Sequence, residues 1–285
     1  MQIVLTGATG RLGAYVREPL ARTGSEVVAW GGAGDVDLED PAAIARELDR
    51  ADADAVLHLA AISDAETCRR EPERARRINV EAVSSIAAWC RAKGRRLVFT
   101  STDMVFDGGK PWASEADEPR PILAYGATKR AAELEALQAA DAAVVRVALM
   151  YGPTRCGRET FYDKAVANLR AGSVQTFFDD EFRTPLDYAT AAKAIVALVV
   201  SDFRGVVHLG GRERVSRFEM MKRVARGLGL DESLVRSNSR ADAVFAEPRP
   251  ADVSMDTSRL AALLPSLDRA PIEEAVRAME RPSVG

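Results

Sequence analysis

Short apolar runs alternate, along the first half of the chain, with longer stretches in which apolar residues recur every three or four positions. The short runs predict buried β-strands, and they lie at Gln2–Thr6, Glu26–Trp30, Ala55–Leu59, Leu97–Thr100 and Ala143–Leu149. The stretches between them predict helices. Strands and helices that alternate in this way form a parallel sheet with right-handed crossovers. The pattern therefore predicts an α/β fold built on a doubly wound parallel sheet.

Proline and glycine mark several of the helix boundaries. Pro41 suits the first position of one helix, and Gly94 suits the end of another. Pro19 falls inside the first helix, which it should kink or deprive of one hydrogen bond. Further helices are predicted at Cys68–Ile78, Asn79–Ala92 and from Tyr125 to about Ala140.

The pattern changes after Met150. Helices are predicted at Phe161–Leu169, Tyr188–Val200, Ser216–Gly227 and Ile272–Met279, strands at Val174–Phe178 and Val206–Leu209, and residues 229–260 are expected to be irregular. We predict a first domain from residues 1–150, which also receives about 182–210, and a smaller mixed α/β C-terminal lobe from residues 151–181 and 211–285.

Composition and charge exclude several classes of protein. The 285 residues are 47% hydrophobic and 28% charged, an ordinary balance for a soluble globular protein. The net charge of −3, without a basic block, argues against a nucleic acid or an anionic membrane as partner. The apolar segment Ala191–Val200 has about half of the ~20 residues that a membrane span requires.

The cysteines and histidines give no sign of a metal site. Three cysteines without metal-ligand spacing indicate reduced thiols in a cytoplasmic protein, and no signal peptide is indicated at the N-terminus. His58 and His208 each lie within an apolar run, so we interpret both as strand residues without a catalytic role.

The sequence Gly7-Ala8-Thr9-Gly10-Arg11-Leu12-Gly13 follows the first strand and opens the first helix. The first glycine allows a tight turn, the second lets backbone N–H groups approach a pyrophosphate, and the third permits close packing of helix and strand. The helix N-terminus also favours an anion. In this position the glycines predict a site for a dinucleotide, in a domain of the Rossmann type.

The end of the second strand bears on which dinucleotide is bound. A carboxylate for the ribose 2′-hydroxyl is expected there, yet the segment is Trp30-Gly31-Gly32. A strict preference for NAD is therefore not supported. We hypothesise that NADPH is preferred, with Arg11 near the 2′-phosphate; an ordinary exposed residue of the first helical turn is the alternative for Arg11.

Polar groups gather where the fourth predicted strand ends, at Ser101 and Thr102, and Tyr125 and Lys129 follow on a helix. Residues four apart lie on one helix face, so Lys129 is expected to hold an ammonium beside the Tyr125 phenol and to lower its pKa, as a proton donor near neutral pH requires. A common surface pair is the alternative. The small residues after the third strand, Ala60-Ala61-Ile62-Ser63, leave room for a ligand at the same sheet edge.

These segments resemble the extended short-chain dehydrogenase/reductase family, and within it the dTDP-4-dehydrorhamnose reductase group. The likeness rests on the glycine turn, His58-Leu59-Ala60-Ala61, Asn79-Val80, Ser101-Thr102-Asp103-Met104-Val105-Phe106-Asp107-Gly108, Tyr125-x-x-x-Lys129, Arg183-Thr184-Pro185 and Arg249–Thr257. Two positions depart from the group: Met104 stands in place of a tyrosine and Asp252 in place of an asparagine.

The resemblance implies a role for each matching residue. Tyr125 would donate a proton, Lys129 would lower its pKa and hold the cofactor ribose, and Thr102 would bond the substrate carbonyl. The other residues implied at the cofactor are Gly7, Thr9, Gly10, Arg11 and Leu12 at the pyrophosphate, Asp37 and Leu38 at the adenine, and Ala60 and Ala61 at the riboses. Those implied at the substrate are Met104, Phe106 and Arg183, with a surface ion pair as the alternative for Arg183.

The resemblance thus implies a reductase that uses NADPH, with NADH as an accepted cofactor, on a keto group of a nucleotide-linked sugar or another polar ketone. A sugar-nucleotide epimerase and a non-catalytic dinucleotide-binding regulatory subunit are the alternatives. A dehydratase is disfavoured because Met104 has no proton to exchange. The oligomeric state is open, with a homodimer as one option.

Overall fold

The computed structural model of the chain describes residues 1–32 and 34–280. Its strands are β1 (Gln2–Thr6), β2 (Glu26–Trp30), β3 (Ala55–His58), β4 (Arg96–Thr102), β5 (Ala142–Val147), β6 (Met150–Tyr151), β7 (Gln175–Phe178), β8 (Phe182–Arg183), β9 (Leu186–Asp187), β10 (Gly205–Leu209), β11 (Val215–Ser216) and β12 (Val235–Asn238).

The helices are α1 (Arg11–Ala21), α2 (Pro41–Arg50), α3 (Ala65–Arg70), α4 (Pro72–Arg76), α5 (Ala82–Lys93), α6 (Ala124–Ala136), α7 (Phe161–Arg170), α8 (Tyr188–Val199), α9 (Arg217–Gly227), α10 (Ser258–Leu263) and α11 (Ile272–Glu280). A π-helical turn at Arg77–Glu81 and 3-10 turns at Asp103–Val105, Glu232–Leu234 and Arg240–Asp242 complete the regular structure of the described residues.

A six-stranded parallel sheet in the order β10-β5-β4-β3-β1-β2 forms the centre of the molecule. The predicted doubly wound parallel sheet is confirmed. The strand order changes direction between β1 and β3, and ligands of open α/β sheets bind in the crevice at such a point, beyond the carboxyl ends of the strands. The glycine turn after β1 and the small residues after β3 both lie at this crevice.

Alternate residues of the strands supply two separate cores. Leu5, Leu57 and Val98 face the layer that contains α1 and α8. Their sequence neighbours Val4, Val56 and Leu97 pack on the other face, against side chains of α2, α5 and α6. Because both faces of the central strands β1, β3, β4 and β5 are covered, these strands are largely apolar, and each fully buried aliphatic side chain contributes about 1.5–3 kcal/mol.

A third core lies in the C-terminal lobe, for which we use residues 151–181 and 211–280. Side chains of α7, α9 and α11 form it, among them Leu169, Met221 and Val276. Parallel β7 and β12 pair beside them. Between the two halves of the lobe, the chain returns to the sheet and adds β10 beside β5. The predicted lobe extends to residue 285, and its last residues, 281–285, lie outside the described residues.

Some local expectations need correction. The segment predicted as two helices over 68–92 is divided further, because Pro72 starts a new helix and the π-helical turn at Arg77–Glu81 inserts one wider turn. Residues 229–260 are less irregular than predicted, since β12 and the start of α10 lie there. Pro19 is accommodated within α1, which continues to Ala21.

Across residues 1–32 and 34–280, every helix falls short of the length and apolar character that a bilayer crossing demands.

Candidate active site

A cavity of about 620 Å³ lies at the crevice between β1, β3 and the start of α6. The residues predicted to hold a cofactor all line it, and they are Gly7, Thr9, Gly10, Arg11, Leu12, Asp37, Leu38, Ala60, Ala61, Tyr125 and Lys129. Residues separated by as many as 122 positions thus meet at one edge of the sheet.

The glycine turn is shaped by contacts that exclude a side chain. Gly7 has φ +67°, and a Cβ there would lie 2.8 Å from the backbone N of Ala60. A Cβ on Gly13 would lie 2.2 Å from the Gly7 carbonyl oxygen. Gly10 precedes α1, where no side-chain cap and no first-turn acidic residue compete for the helix N–H groups. The turn thus fits the pyrophosphate of a dinucleotide.

The Thr6 hydroxyl fixes the backbone on the opposite side of the cavity. It accepts hydrogen bonds from the N–H groups of Leu59 and Ala60, both at 3.2 Å. Its own proton is therefore donated to His58 Nδ1, at 2.9 Å, which leaves the imidazole proton on Nε2. Burial, assisted by the charge of Lys129, lowers the pKa of His58 to about 3, so this ring is neutral.

The end of β2 does receive a carboxylate, which corrects the sequence interpretation. A turn in which Asp35 N donates to the Gly32 carbonyl brings Asp35 back, and its carboxylate accepts a 2.6 Å hydrogen bond from Gly31 N. The Thr9 hydroxyl donates to the Gly31 carbonyl. Arg11, predicted near a 2′-phosphate, instead donates through Nη2 to the Glu159 carbonyl of the lobe at 3.0 Å.

The start of α6 is pressed against the end of β4. A Cβ on Gly126 would lie 2.2 Å from the Met104 carbonyl oxygen, so glycine allows the helix its close approach. Leu123 is the N-cap residue, and its side chain makes no hydrogen bond to the helix. Instead, the Glu247 carboxylate accepts a 2.8 Å hydrogen bond from Ala124 N. A residue of the lobe therefore caps the helix that bears Tyr125 and Lys129.

Thr102, Tyr125 and Lys129 meet at this junction. Thr102 is the buried last residue of β4, and its hydroxyl accepts from Met104 N at 3.2 Å. Burial raises the pKa of Tyr125, the charge of Asp103 raises it further, and a hydrogen bond with Thr102 acts in the opposite direction. Tyr125 and Lys129 line the cavity, whereas Thr102 lies just behind its wall.

The expected lowering of the Tyr125 pKa by Lys129 is not found. Lys129 is only 2% exposed, and its Nζ lies 4.1 Å from the centroid of the Phe99 ring. Burial lowers the pKa of Lys129 to about 7, although the charges of Glu133 and Cys68 act to raise it. The Lys129 amine is therefore only partly protonated near pH 7. Desolvation is the largest cause of the pKa shifts of both Tyr125 and Lys129.

Asn79 connects α6 with the cavity wall. It is buried on the π-helical turn, its Oδ1 accepts from Ile62 N at 2.8 Å, and its Nδ2 donates to the Ile62 carbonyl at 3.0 Å. Nδ2 also donates to the Thr128 hydroxyl at 3.0 Å. The wider turn thus directs one amide toward both the loop after β3 and α6.

Next to Thr102 lies a group of charges that we name the arginine cluster, formed by Arg183, Arg217 and Arg249. Arg183 Nε lies 3.7 Å from an oxygen of Asp103, and both side chains are buried. Arg249 Nη2 donates to Glu181 at 3.2 Å. Burial lowers the pKa of Arg217 to about 10; Glu181 opposes this, and Arg183 and Arg249 add to it.

The residues predicted to contact the substrate do not line the cavity. Met104 and Arg183 lie beside it, with Arg183 Nη2 3.9 Å from the Met104 sulfur. Phe106 needs a correction, because it is only 5% exposed and packs in a core with Val253 and Met255. An apolar residue in a strand-end motif cannot be assigned to core or pocket from the sequence alone.

Asp252, the other departure from the resembled group, carries its charge in an ion pair. Its carboxylate lies 2.6 Å from Arg214 Nη2, and only 6% of the residue is exposed. The extra negative charge is thus neutralised within the lobe.

Sequence reasoning missed several residues at or near the cavity. Arg74, Arg158 and Tyr188 line it, and Asp103 lies behind it with one buried oxygen that has no hydrogen-bond partner in the described chain. Asp103 stands inside the motif and was a detectable signal. The others come from separate segments, and no local pattern marks them. Within the described residues, no group of three or more acidic, histidine or cysteine side chains is arranged to hold a metal.

Comparison with known proteins agrees with this geometry. The family model described as RmlD substrate binding domain matches residues 1–281. A dTDP-4-dehydrorhamnose reductase of Mycobacterium tuberculosis is 33% identical over 258 residues, 87% of this chain and 82% of that one. A methionine adenosyltransferase 2 subunit beta of Bos taurus is 28% identical over 276 residues, 92% of this chain and 82% of its own.

Among solved structures, a dTDP-4-dehydrorhamnose reductase of Bacillus anthracis in complex with NADP superposes with a TM-score of 0.88. It is 22% identical, and the match covers 97% of both chains. At this identity, the likeness supports the fold.

Proposed function

The chain belongs to the RmlD substrate binding domain family, and on this premise we propose that it is an NAD(P)H-dependent reductase of a keto group on a nucleotide-linked sugar. One observation carries the proposal. Tyr125 and Lys129 open onto the same cavity as the glycine turn, and Thr102 lies within hydrogen-bond reach of Tyr125. A proton donor and a dinucleotide cradle at one sheet edge are what the reduction of a ketone requires.

The proposed chemistry divides between cofactor and protein. A bound nicotinamide supplies the hydride. Tyr125 donates a proton to the carbonyl oxygen, and the raised pKa of its phenol keeps that proton in place until the oxyanion develops. Thr102 bonds the same oxygen and stabilises its charge. Lys129 holds the ribose hydroxyls, and because the pKa of this amine is near 7, added negative charge from a cofactor favours its ammonium form.

The arginine cluster supports an anionic substrate. Three guanidinium groups face two carboxylates, those of Asp103 and Glu181, so one positive charge remains. Among the described residues, no carboxylate lies within 4 Å of the Arg217 guanidinium. A guanidinium offers paired donors to phosphate, and a nucleotide diphosphate therefore suits this region.

The test is NADPH oxidation with a panel of nucleotide-4-ketosugars. We expect Tyr125→Phe to bind the cofactor normally and to lower turnover by about a hundredfold or more, the usual scale for general acid catalysis. Tyr162→Phe is the matched control, because its buried hydroxyl has no hydrogen-bond partner among the described residues. Near-normal turnover by Tyr125→Phe would remove the basis of the proposed mechanism. Stoichiometric loss of NADPH separates a reductase from an epimerase, which retains its cofactor.

NADPH is the proposed cofactor, and NADH is expected to be accepted. The NADP complex of the Bacillus anthracis protein supports NADPH. The Asp35 carboxylate beside Gly31 acts in the other direction, because a carboxylate there suits an unphosphorylated ribose. Comparable kcat/KM with the two cofactors would contradict a preference for NADPH.

A second candidate is a non-catalytic dinucleotide-binding subunit. The similarity to a methionine adenosyltransferase 2 subunit beta favours it. Tight NADPH binding without turnover of any ketosugar in the panel would support this function over the first.

A further inference from the structure

The loop at residues 152–160, which we name the clasp loop, joins β6 to α7 and lies against α1. The Tyr15 hydroxyl donates to the Pro153 carbonyl at 2.6 Å, and the Arg155 guanidinium lies 4.2 Å from the Tyr15 ring centroid. At the other end of the loop, Arg11 donates to the Glu159 carbonyl at 3.0 Å. Both ends of the clasp loop are thus attached to the helix that begins at the glycine turn.

Internal hydrogen bonds give the clasp loop a defined shape. Asp163 accepts from Thr154 N at 3.0 Å and from Thr160 N at 2.8 Å. Thr160 in turn accepts from Asp163 N, which completes a capping box at the start of α7. One carboxylate therefore holds both ends of the loop.

Arg158 is the residue of the clasp loop that lines the cavity. It precedes Glu159, whose carbonyl is bonded to Arg11 in the first turn of α1, where the pyrophosphate is expected. The Arg158 side chain is exposed, and no carboxylate in residues 1–32 and 34–280 lies within 4 Å of its guanidinium. A free cation thus stands beside the pyrophosphate cradle, on the side contributed by the lobe.

We propose that Arg158 binds the pyrophosphate of the dinucleotide, so that the clasp loop closes on the cofactor from the lobe. This inference rests on the proposed function only in that the ligand is a nicotinamide dinucleotide. The glycine turn supplies backbone N–H groups and a helix dipole, while its Arg11 is bonded to the Glu159 carbonyl. Arg158 supplies a further full positive charge from the lobe side of the cavity. The cofactor then connects the sheet domain with the lobe that contributes Arg217 and Arg249 to the arginine cluster.

The test is direct binding of NADPH and of NADH, measured by cofactor fluorescence at low ionic strength. We expect Arg158→Ala to raise the Kd for both cofactors by about tenfold, the lower range for a hydrogen bond to a charged group. Arg158→Lys should recover part of the affinity. The matched control is Arg236→Ala, an exposed arginine on β12 away from the cavity.

Each outcome decides one question. Unchanged Kd values in Arg158→Ala, with saturable binding to the wild-type protein, overturn the assignment. A loss confined to NADPH also overturns it, because the pyrophosphate is common to both cofactors and the 2′-phosphate is not. Absence of binding to the wild-type protein overturns the proposed function instead.

Limited proteolysis gives a second measurement that needs no variant. Trypsin cleaves after arginine, and Arg155 and Arg158 are exposed on the clasp loop. Saturating NADP⁺ or NAD⁺ is expected to slow cleavage at Arg158 several-fold and to leave cleavage after the exposed Arg91 unchanged. Equal cleavage rates with and without cofactor contradict closure of the loop.

Discussion

Two buried charged side chains of α6, Lys129 and Glu133, have different surroundings. The first is Lys129, whose Nζ lies over the Phe99 ring; within the described chain it has no carboxylate within 4 Å. The second is Glu133, one turn further along the same helix, which receives hydrogen bonds of 2.8 Å from both Nε and Nη2 of Arg146. One buried charge has no ion-pair partner, and the other is fully paired.

The pKa values reflect this difference. Burial raises the pKa of Glu133, but the bonds from Arg146 outweigh it and bring the pKa below its ordinary value. Arg146 also contacts His208 Nε2 at 3.3 Å, which extends the pairing to β10. At Lys129 desolvation prevails. A buried charge that is paired serves the fold, whereas one left unpaired indicates a site where chemistry needs a responsive group.

The largest expected effect comes from breaking the paired group. Arg146→Met leaves the Glu133 carboxylate buried with only Arg130 nearby, and loss of one partner of a buried pair costs about 3–5 kcal/mol of unfolding free energy. Urea denaturation measures it. Arg91→Met, on the exposed side of α5, is the control and should change stability little. A loss below about 1 kcal/mol would show that the pair matters less than its burial suggests.

Replacing Lys129, the side chain without an ion-pair partner, should instead raise the free energy of unfolding. Because the pKa of Lys129 falls from 10.5 to about 7 on folding, the unfolded chain binds more protons between these pH values, and stability from this residue rises with pH across that window. Lys129→Met is therefore expected to stabilise the fold at pH 6, while abolishing turnover. The gain is limited to the order of 1–3 kcal/mol, because the substitution also removes the favourable contact of Lys129 Nζ with the Phe99 ring.

Thermal unfolding of wild type and Lys129→Met between pH 6 and 10.5 measures this difference. The advantage of the variant should shrink steadily as the pH rises and vanish near pH 10.5, the ordinary pKa of lysine. An advantage that does not depend on pH, or a destabilised variant at pH 6, contradicts a charge left without a partner.

The last prediction concerns Thr6, which is bonded to His58, and the His58 ring stacks on the same Phe99 ring that lies under Lys129 Nζ. Thr6→Val removes the acceptor of two backbone N–H groups and the donor to His58, which costs about 1–3 kcal/mol. The same change should weaken NADPH binding, because Ala60 lines the cavity. Thr176→Val on the exposed face of β7 is the control, and equal stability of the two variants would contradict a role for the Thr6 hydroxyl.

The sheet and the glycine turn were predictable because their signals are local. A buried parallel strand is an apolar run, and Gly7 and Gly13 occupy positions that no Cβ can enter. The spacing of Tyr125 and Lys129 also placed both at the cavity. Spacing could not give the sign of the Tyr125 pKa shift, since that depends on the burial of the pair and on Asp103.

Residues that reach the site from distant segments were not predictable. Asp35 returns to Gly31 through a turn, and Arg158 arrives on the clasp loop, which is attached to α1 by tertiary contacts. Phe106 shows the converse limit. Its motif suggested a pocket, yet its ring lies edge-on to His208 in the core, where the packing of β10 decides its place.

The cap that Glu247 places on α6 has a consequence for the timing of synthesis. After Ala124 the ribosome must add a further 123 residues before this carboxylate exists. At about 5–20 residues per second, this takes roughly 6–25 s. For that interval the nascent chain contains Tyr125 and Lys129 on a helix whose first N–H group lacks its native acceptor. The last quarter of the chain thus sets the moment at which the site is assembled.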